Sequence, residues 1–344
     1  MVRVKVVVEV VLPPVNNKHG TETLRVGIVG TGYAAKMRAQ TLQADRCSDL
    51  VAVAGHSLEK TQEFALNYGA EALSNWQDLV DRSDLDLAIV CTVNRDHGVI
   101  TRAALNSGKH VVVEYPLCLD ATEAEELIAL AAAGGKLLHV EHIELLGGLH
   151  QAFKQSLLAI GNPFYLRYAT IAPKQPALPG WKYNRKLFGF PLTAALSRLH
   201  RLTDALGTVT TVSCQVRYWP VKEDDYSACL CTAQLRFANG AIADLLYGKG
   251  ETFWQAERKL EAHGDRGTLI FDRDRGFLVR GQERTPIEVA SRQGLFARDT
   301  GMVLDHLITG TPLYLSPEAS LYSLKIANAA QQSAATGQIV NCEL

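Results

Sequence analysis

The sequence lacks an excess of charge of either sign. Its 344 residues carry 35 Lys and Arg against 36 Asp and Glu, which gives a formal net charge of −1. A chain this close to neutrality has no long-range field that would gather nucleic acid or an anionic membrane. We therefore expect neither of these as a partner, and an acidic ligand has to be recognised by local groups.

Long apolar runs are missing as well. The segment Val2 to Leu12 alternates only partly, is short and interrupted by charge, with Glu9 in its middle, and stops at Pro13 and Pro14. It is too short to span a membrane and unlike a secretory segment. We interpret residues 1–23 as an N-terminal extension, and no later segment reaches the length of a membrane span.

The sequence also lacks the cysteine spacing of a disulfide framework. The seven Cys are odd in number, scattered, and mostly set in apolar runs such as Ala88–Cys91, which is typical of reduced core thiols and predicts a reducing, cytoplasmic location. Cys229 and Cys231 are closely spaced, but no second ligand pair follows them. His139 and His142 flank Glu141 but alternate along a predicted strand. We therefore predict no metal site.

The order of apolar runs indicates two domains. From Leu24 to Ile143, β-branched runs alternate with helical stretches, which is typical of a doubly wound parallel sheet in the α/β class. The predicted strands of this half are Leu24–Gly30, Leu50–Ala54, Leu85–Val93, His110–Glu114 and Leu137–Ile143. We predict a Rossmann domain over residues 24–146 and a substrate-binding α+β domain over residues 147–344.

The second half predicts an antiparallel sheet with few helices. Asn239-Gly240 lies between two of its apolar runs and predicts a hairpin, because both turn positions favour positive φ. The predicted strands are Phe164–Ile171, Val209–Tyr218, Ala228–Phe237, Ala241–Tyr247, Lys259–His263 and Thr268–Phe271. The predicted helices are Pro191–Leu206, Met302–Ile308 and Pro317–Ala335, and it stays open whether the last one packs back on the Rossmann domain.

A glycine-rich turn after the first strand predicts a dinucleotide site. Gly30 allows the tight turn, Gly32 lets the backbone approach a diphosphate, and Ala35 keeps the following helix close to the strand. Unpaired N–H groups at the start of that helix then bind the phosphates. The predicted contacts of this turn are Gly27, Gly30, Thr31, Gly32, Tyr33, Ala34 and Ala35.

The end of the second predicted strand favours NADPH over NADH. NAD-specific Rossmann domains place a carboxylate there for the ribose 2′-hydroxyl. Here no carboxylate occupies the strand end, whereas Ser57 can donate to a phosphate and His56 and Lys60 add positive charge. NADH stays open as the less favoured cofactor because Glu59 is close by.

The glycine turn, the segment Cys91–His97 and the strand His110–Pro116 together resemble the Gfo/Idh/MocA oxidoreductases. The likeness covers nearly everything after Leu24 and implies that an open-faced antiparallel sheet follows the Rossmann domain. It also implies a small-molecule substrate, and a monomer or a homodimer formed through that open sheet.

This sequence departs from the family at its alcohol-oxidising residues. Typical members have Glu-Lys-Pro after the fifth strand and an Asp-x-x-x-His-x-x-Asp helix. Here Glu114-Tyr115-Pro116 replaces the first motif. The positions that match the second motif are Ser197, Arg201 and Asp204. Oxidation of a hydroxyl needs a base with a pKa near neutrality, so sugar oxidation is disfavoured and hydride delivery to a conjugated acceptor remains.

Longer blocks resemble the biliverdin-reducing branch of the family in its cyanobacterial form. These blocks are Val113–Leu117, Leu137–Gly148, Phe188–Leu192, Ala194–Arg198 and Gly264–Phe271. The resemblance implies NADPH-dependent reduction of a linear tetrapyrrole at its central methine bridge. It also implies a catalytic role for Arg198 in protonating a pyrrole nitrogen. A guanidinium hardly ever loses a proton, so we expect Arg198 to stabilise developing charge and to orient the true donor.

Other candidates follow from their place at the strand ends, where ligands of this fold collect. We assign Tyr115 and His97 as further catalytic candidates, and both also as cofactor contacts. The remaining predicted cofactor contacts are Thr92, Val93, Asn94 and Glu114. The cations Lys174, Arg185 and Lys186 are candidates for substrate carboxylates. Two alternatives stay open: a reductase of another conjugated or carbonyl compound, and a non-catalytic dinucleotide-sensing regulator.

Overall fold

The structure is a computed structural model that describes residues 23–177 and 179–342. The N-terminal extension expected over residues 1–23 therefore lies, apart from Thr23, outside the described residues. None of the helices in the described part of the chain combines the length and the apolar character that crossing a bilayer requires.

The N-terminal domain is a six-stranded parallel sheet. Its strands are β1 (Leu24–Val29), β2 (Ser48–Ala54), β3 (Glu71–Leu73), β4 (Leu87–Val90), β5 (His110–Val113) and β6 (Leu138–Val140). Their order in the sheet is β3-β2-β1-β4-β5-β6. Every residue of β4 is buried, as expected for a strand covered by helices on both faces. The predicted Rossmann architecture is confirmed.

Helices alternate with these strands. They are α1 (Tyr33–Ala44), α2 (Leu58–Tyr68), α3 (Trp76–Val80), α4 (His97–Asn106) and α5 (Ala121–Ala133). Local sequence explains where several begin: the Ser57 hydroxyl accepts from the N–H of Lys60 at the start of α2, and the Asp120 carboxylate caps α5. The strand order reverses between β1 and β4, so the carboxyl ends of β1, β4 and β5 meet at one crevice.

The second domain is a nine-stranded, mostly antiparallel sheet. Its strands are β7 (Pro163–Pro173), β8 (Val209–Lys222), β9 (Asp225–Phe237), β10 (Ile242–Gly250), β11 (Glu257–Gly264), β12 (Gly267–Asp272), β13 (Arg275–Arg280), β14 (Glu283–Ile287) and β15 (Val340–Asn341). The order is β14-β13-β12-β11-β7-β10-β9-β8-β15. The α+β class is confirmed, but β7 and β10 pair in parallel, whereas the sequence pattern predicted only antiparallel neighbours.

The remaining helices connect and cover this sheet. They are α6 (Ile143–Leu146), α7 (Gly148–Ser156), α8 (Arg185–Phe188), α9 (Pro191–Ala194), α10 (Leu196–Leu206), α11 (Leu295–Thr309) and α12 (Pro317–Thr336). The face of the sheet that meets α7, α10 and α12 is apolar and buried. On the opposite face, side chains such as Ser213 and Gln215 are exposed.

The two last long helices reach the Rossmann domain. Val303, Leu304 and Leu307 of α11 join the apolar core that Val26 and Ile28 of β1 form with α1. Helix α12 packs between β8 and α5, and the Asn328 side chain accepts from the Ala121 N–H at the start of α5. Side chains from the end of the chain therefore take part in the N-terminal core.

Several boundaries differ from the sequence-based expectations. The predicted helix Pro191–Leu206 is interrupted at Ala195, whose φ of −107° and ψ of 33° are not helical. Asn239-Gly240 does form the predicted turn, but only Gly240 has a positive φ, of 89°. The expectation of two positive φ values was wrong because the Asn239 side chain instead accepts from the Ala241 N–H. Elements β3, β13, β14, β15, α3, α6 and α8 were not predicted.

Candidate active site

The glycine turn has the geometry of an anion cradle. Gly30 has a φ of +127°, and a Cβ there would lie 2.3 Å from the carbonyl oxygen of Cys91, so only glycine fits. Gly32 is the N-cap of α1, and no side chain caps this helix. Nothing would lie within 4 Å of a Cβ at Gly32. The first N–H groups of α1 are therefore free to bind phosphate oxygens, and the turn fits a dinucleotide.

Neighbouring residues of the turn take different positions. Tyr33 is exposed, and its ring meets the edge of Phe296 at 5.9 Å between centroids. Ala35 is fully buried against the sheet. A Cβ at Gly27 would come within 2.9 Å of Leu79, so the absence of a side chain at Gly27 lets α3 pack closely against β1. Thr31 and Ala34 are half-buried beside the turn.

The end of β2 presents polar groups without a carboxylate. His56 and Lys60 are exposed, and Ser57 is half-buried at the start of α2. Glu59 is exposed in the first turn of α2. The helix start, the His56 ring and the Lys60 ammonium group can therefore surround a phosphate on the ribose 2′ oxygen.

Asn94 and His97 hold backbone segments together. The Asn94 amide donates to the carbonyl of Phe188 across 2.8 Å, which ties the end of β4 to α8. Both ring nitrogens of buried His97 face backbone carbonyls, at 2.7 Å from Pro116 and 3.2 Å from Thr92. Burial lowers the pKa of His97. Direct contact of either side chain with a cofactor stays a prediction, as it does for half-buried Thr92 and Val93.

Glu114 belongs to a buried charge network that the sequence did not reveal. Its Oε1 accepts from Nε of Arg38 at 2.8 Å, and Nη1 of Arg38 lies 2.8 Å from Asp299 of α11. The other Asp299 oxygen lies 2.8 Å from His139. Burial and the nearby carboxylates raise the pKa of Glu141, which lies beside this network. The network fixes the carboxyl end of β5 against α1 and α11.

A short chain of hydrogen bonds through Ser197 connects Tyr115 of the first domain to Arg198 of the second. The Ser197 hydroxyl donates to the phenolic oxygen of Tyr115 at 3.1 Å and accepts from Nη1 of Arg198 at 3.2 Å. The Tyr115 ring stacks on His142, with 5.3 Å between centroids, and burial raises the pKa of Tyr115. Because Tyr115 accepts from Ser197, its own O–H remains available as a hydrogen-bond donor.

The Arg198 guanidinium is held by an aromatic ring as well. It lies over Tyr247 of β10, 5.6 Å from the ring centroid, which is within the range of a cation–π contact. Its Nε has no hydrogen-bond partner among the described residues. A buried guanidinium with a free N–H is suited to stabilising negative charge that develops on a bound substrate.

Lys249 is a second buried cation that the sequence did not indicate. Its Nζ donates to the carbonyl of Lys182 and lies 3.3 Å from the centroid of the Phe188 ring. Burial lowers the pKa of Lys249 to about 7. The second domain therefore contains a buried amine with a pKa near neutrality. This amine is not at the position of the lysine typical of the family, which Tyr115 occupies here.

The cations expected to meet substrate carboxylates are partly engaged elsewhere. Lys186 forms an ion pair with Asp224 at 2.7 Å on the surface. The Arg185 guanidinium lies over Tyr218 and donates to the carbonyl of Glu223 at 3.1 Å. Lys174 precedes them in the same connection, after β7.

The fold and this site define a two-domain oxidoreductase that binds a dinucleotide at the edge of a Rossmann sheet. Two family profiles match the chain: "Oxidoreductase family, NAD-binding Rossmann fold" over residues 24–142 and "Oxidoreductase family, C-terminal alpha/beta domain" over residues 156–342. The chain belongs to the Gfo/Idh/MocA oxidoreductase family.

Among solved structures, the chain is similar to biliverdin reductase from Synechocystis sp. PCC 6803 in complex with biliverdin and NADP+. The two are 51% identical with a TM-score of 0.89, and the match covers 91% of this chain and 99% of that one. Mouse biliverdin reductase A is 27% identical, over 89% of this chain and 95% of the mouse protein. Human biliverdin reductase A is 29% identical, over 60% of this chain and 67% of the human protein.

Proposed function

We propose that this enzyme reduces biliverdin to bilirubin with NADPH. The observation that carries the proposal is the 51% identity, over nearly the whole chain, to a Synechocystis enzyme whose structure holds biliverdin and NADP+. In the overall reaction, a hydride adds to the central methine carbon and a pyrrole nitrogen gains a proton. Biliverdin, NADPH and one proton thus give bilirubin and NADP+.

Residues of the Rossmann domain fit the cofactor. The first N–H groups of α1 at the turn Gly30–Ala35 would hold the diphosphate, and Ser57, His56 and Lys60 would hold the 2′-phosphate. When bound, NADPH supplies the hydride. Tyr115 lies after β5, at the edge where the nicotinamide half of a dinucleotide lies in this fold.

Residues on α10 suit the change in charge on the substrate. Hydride addition leaves negative charge that spreads through the conjugated pyrroles, and the Arg198 guanidinium stabilises it in a water-poor cleft. Arg198 retains its own proton, so it orients a water molecule or a substrate group that passes the proton. Burial raises the pKa of Tyr115, so Tyr115 keeps its proton. The Ser197 hydroxyl forms hydrogen bonds with both Tyr115 and Arg198 and so connects them.

We further propose a reducing, cytoplasmic location and a monomer or homodimer. All seven cysteines are free, and the sulfurs of Cys214 and Cys231 lie 3.6 Å apart without a bond. The exposed face of the large sheet is the surface through which two copies would meet. Sedimentation at several protein concentrations tests the oligomeric state.

An optical assay tests the proposed function. Purified enzyme is mixed with biliverdin and either NADPH or NADH, and the loss of the red band of biliverdin is followed with the growth of the blue band of bilirubin. We expect turnover with both cofactors and a higher kcat/KM with NADPH. No spectral change would disprove biliverdin reduction, and tight NADPH binding without any turnover would favour the sensing alternative.

A further inference from the structure

A cluster of three arginines surrounds a single carboxylate beside the proposed active site. One Glu144 oxygen pairs with Arg292, and the other lies 3.3 Å from Nη2 of Arg201 and 3.6 Å from Nη2 of Arg258. In the described part of the chain, Glu144 is the only carboxylate that pairs with these three residues. The cluster therefore holds an excess of two positive charges.

The arginines come from three separate parts of the substrate domain. Arg201 is on α10, Arg258 is on β11, and Arg292 lies in the connection before α11. Glu144 is on α6, directly after the carboxyl end of β6. The cluster thus lies at the same edge of the Rossmann sheet as Tyr115, and Glu144 is near enough to interact electrostatically with both Tyr115 and Arg198.

Arg201 has donors with no partner. Its side chain is 1% exposed, yet among the described residues Nε and Nη1 have no hydrogen-bond partner. The hydroxyl of Thr170, which pairs in register with Arg258, is also buried and unpartnered. Buried donors without partners are costly, so a ligand that accepts from them gains affinity. The ring of Tyr168 supports the Arg201 guanidinium at 5.6 Å.

From these observations we infer that Arg201, Arg258 and Arg292 form a carboxylate subsite that binds a propionate of the tetrapyrrole. The inference rests on the proposed function, since biliverdin carries two propionates on the rings that flank its central methine bridge. A propionate bound one helical turn from Arg198 would place that bridge beside the catalytic candidates. Guanidinium forks match carboxylates bidentately, so the subsite would fix orientation as well as affinity.

The test compares biliverdin with its dimethyl ester, which has no carboxylate. For Arg258→Gln and Arg292→Gln, we expect the Kd and the KM of biliverdin to rise by about 10- to 100-fold, because each variant removes a charge-assisted bond. Binding and turnover of the dimethyl ester should stay unchanged. Arg102→Gln is the matched control, because Arg102 also forms a partly exposed ion pair, with Glu126, but on α4.

Two further results decide the inference. Glu144→Gln should bind the diacid more tightly and the ester no better, because the subsite loses its competing negative charge. Equal losses for the diacid and the ester, in both arginine variants, would overturn the subsite. So would a wild-type enzyme that binds the two compounds equally well.

Separate measurements of binding and turnover distinguish the two proposals. Binding is followed by the absorbance change of the tetrapyrrole without NADPH, and turnover by the assay described above. A wild type that binds the diacid selectively without reducing it would leave the subsite standing and reject the reductase. If the wild type reduces biliverdin but the arginine variants affect the diacid and the dimethyl ester equally, the reductase stands and the subsite is rejected.

Discussion

The Ser197 hydroxyl and the phenolic oxygen of Tyr115 lie 3.1 Å apart, and this hydrogen bond joins the carboxyl end of β5 to the first turn of α10. Ser197 also accepts from Arg198 at 3.2 Å. The two domains thus meet through a short polar chain at the point where the proposed chemistry occurs. A shift of α10 against the Rossmann sheet would move Arg198 away from the cleft.

The first prediction concerns Arg198. Arg198→Ala should lower kcat for biliverdin by about 100-fold or more, because it removes a preorganised charge from the water-poor cleft. NADPH affinity, measured by fluorescence titration, should change little. Arg198→Lys keeps the charge but not the planar guanidinium group, so its kcat should lie between that of the wild type and that of Arg198→Ala. Equal losses in turnover and NADPH affinity, or no loss in either, would contradict the assigned role.

The second prediction concerns cofactor choice at Ser57. Ser57→Asp places a carboxylate where the 2′-phosphate of NADPH would lie, and like charges in contact cost several kcal/mol. The ratio of kcat/KM for NADPH to that for NADH should fall by about 10- to 100-fold. Asp caps helices as well as Ser does, so α2 should keep its stability.

Ser57→Thr serves as the control for this change. It keeps a hydroxyl cap without adding charge, and its cofactor ratio should stay close to that of the wild type. If Ser57→Asp left the ratio unchanged, the 2′-phosphate would have to bind elsewhere.

Much of this architecture could be predicted because it depends on local sequence. The turn Gly30–Ala35 needs glycine for steric reasons that act within a few residues, and buried parallel strands such as β4 appear as continuous apolar runs. Ser57 and Asp120 each cap a helix through hydrogen bonds to N–H groups within three residues. These features can be recognised without knowing what packs against them.

Features that depend on distant segments could not be predicted. Arg38 lies on α1 between Met37 and Ala39. Its burial depends on Asp299, which is 261 positions further along the chain. Lys249 continues an apolar strand, but only the rings that surround it show that its amine is buried. Strands β13 and β14 are rich in charge, and β14 contains Pro286, which a sheet tolerates at its edge.

The third prediction tests the buried network at Arg38. Arg38→Met would leave the carboxylates of Glu114 and Asp299 without their cation, and breaking a buried pair in this way costs about 3–5 kcal/mol. Urea unfolding should show a loss of that size. Arg25→Met is the comparison, since Arg25 pairs with Asp84 at 2.6 Å but is 43% exposed, and it should cost less than about 1 kcal/mol. Similar losses in both variants would refute a special role for the network.

The fourth prediction concerns pH and Lys249. Its pKa is about 7 in the folded chain, below the usual value of 10.5. Between pH 7 and pH 10.5, the unfolded chain therefore binds one more proton than the folded chain. The free energy of unfolding should therefore gain about 1.4 kcal/mol per pH unit from this group as pH rises above 7. Lys249→Met removes the buried amine and should be more stable than wild type at pH 7, with a difference that shrinks towards pH 9. Urea unfolding at pH 7, 8 and 9 measures this difference, and parallel curves for the two proteins would show that Lys249 does not titrate in this range.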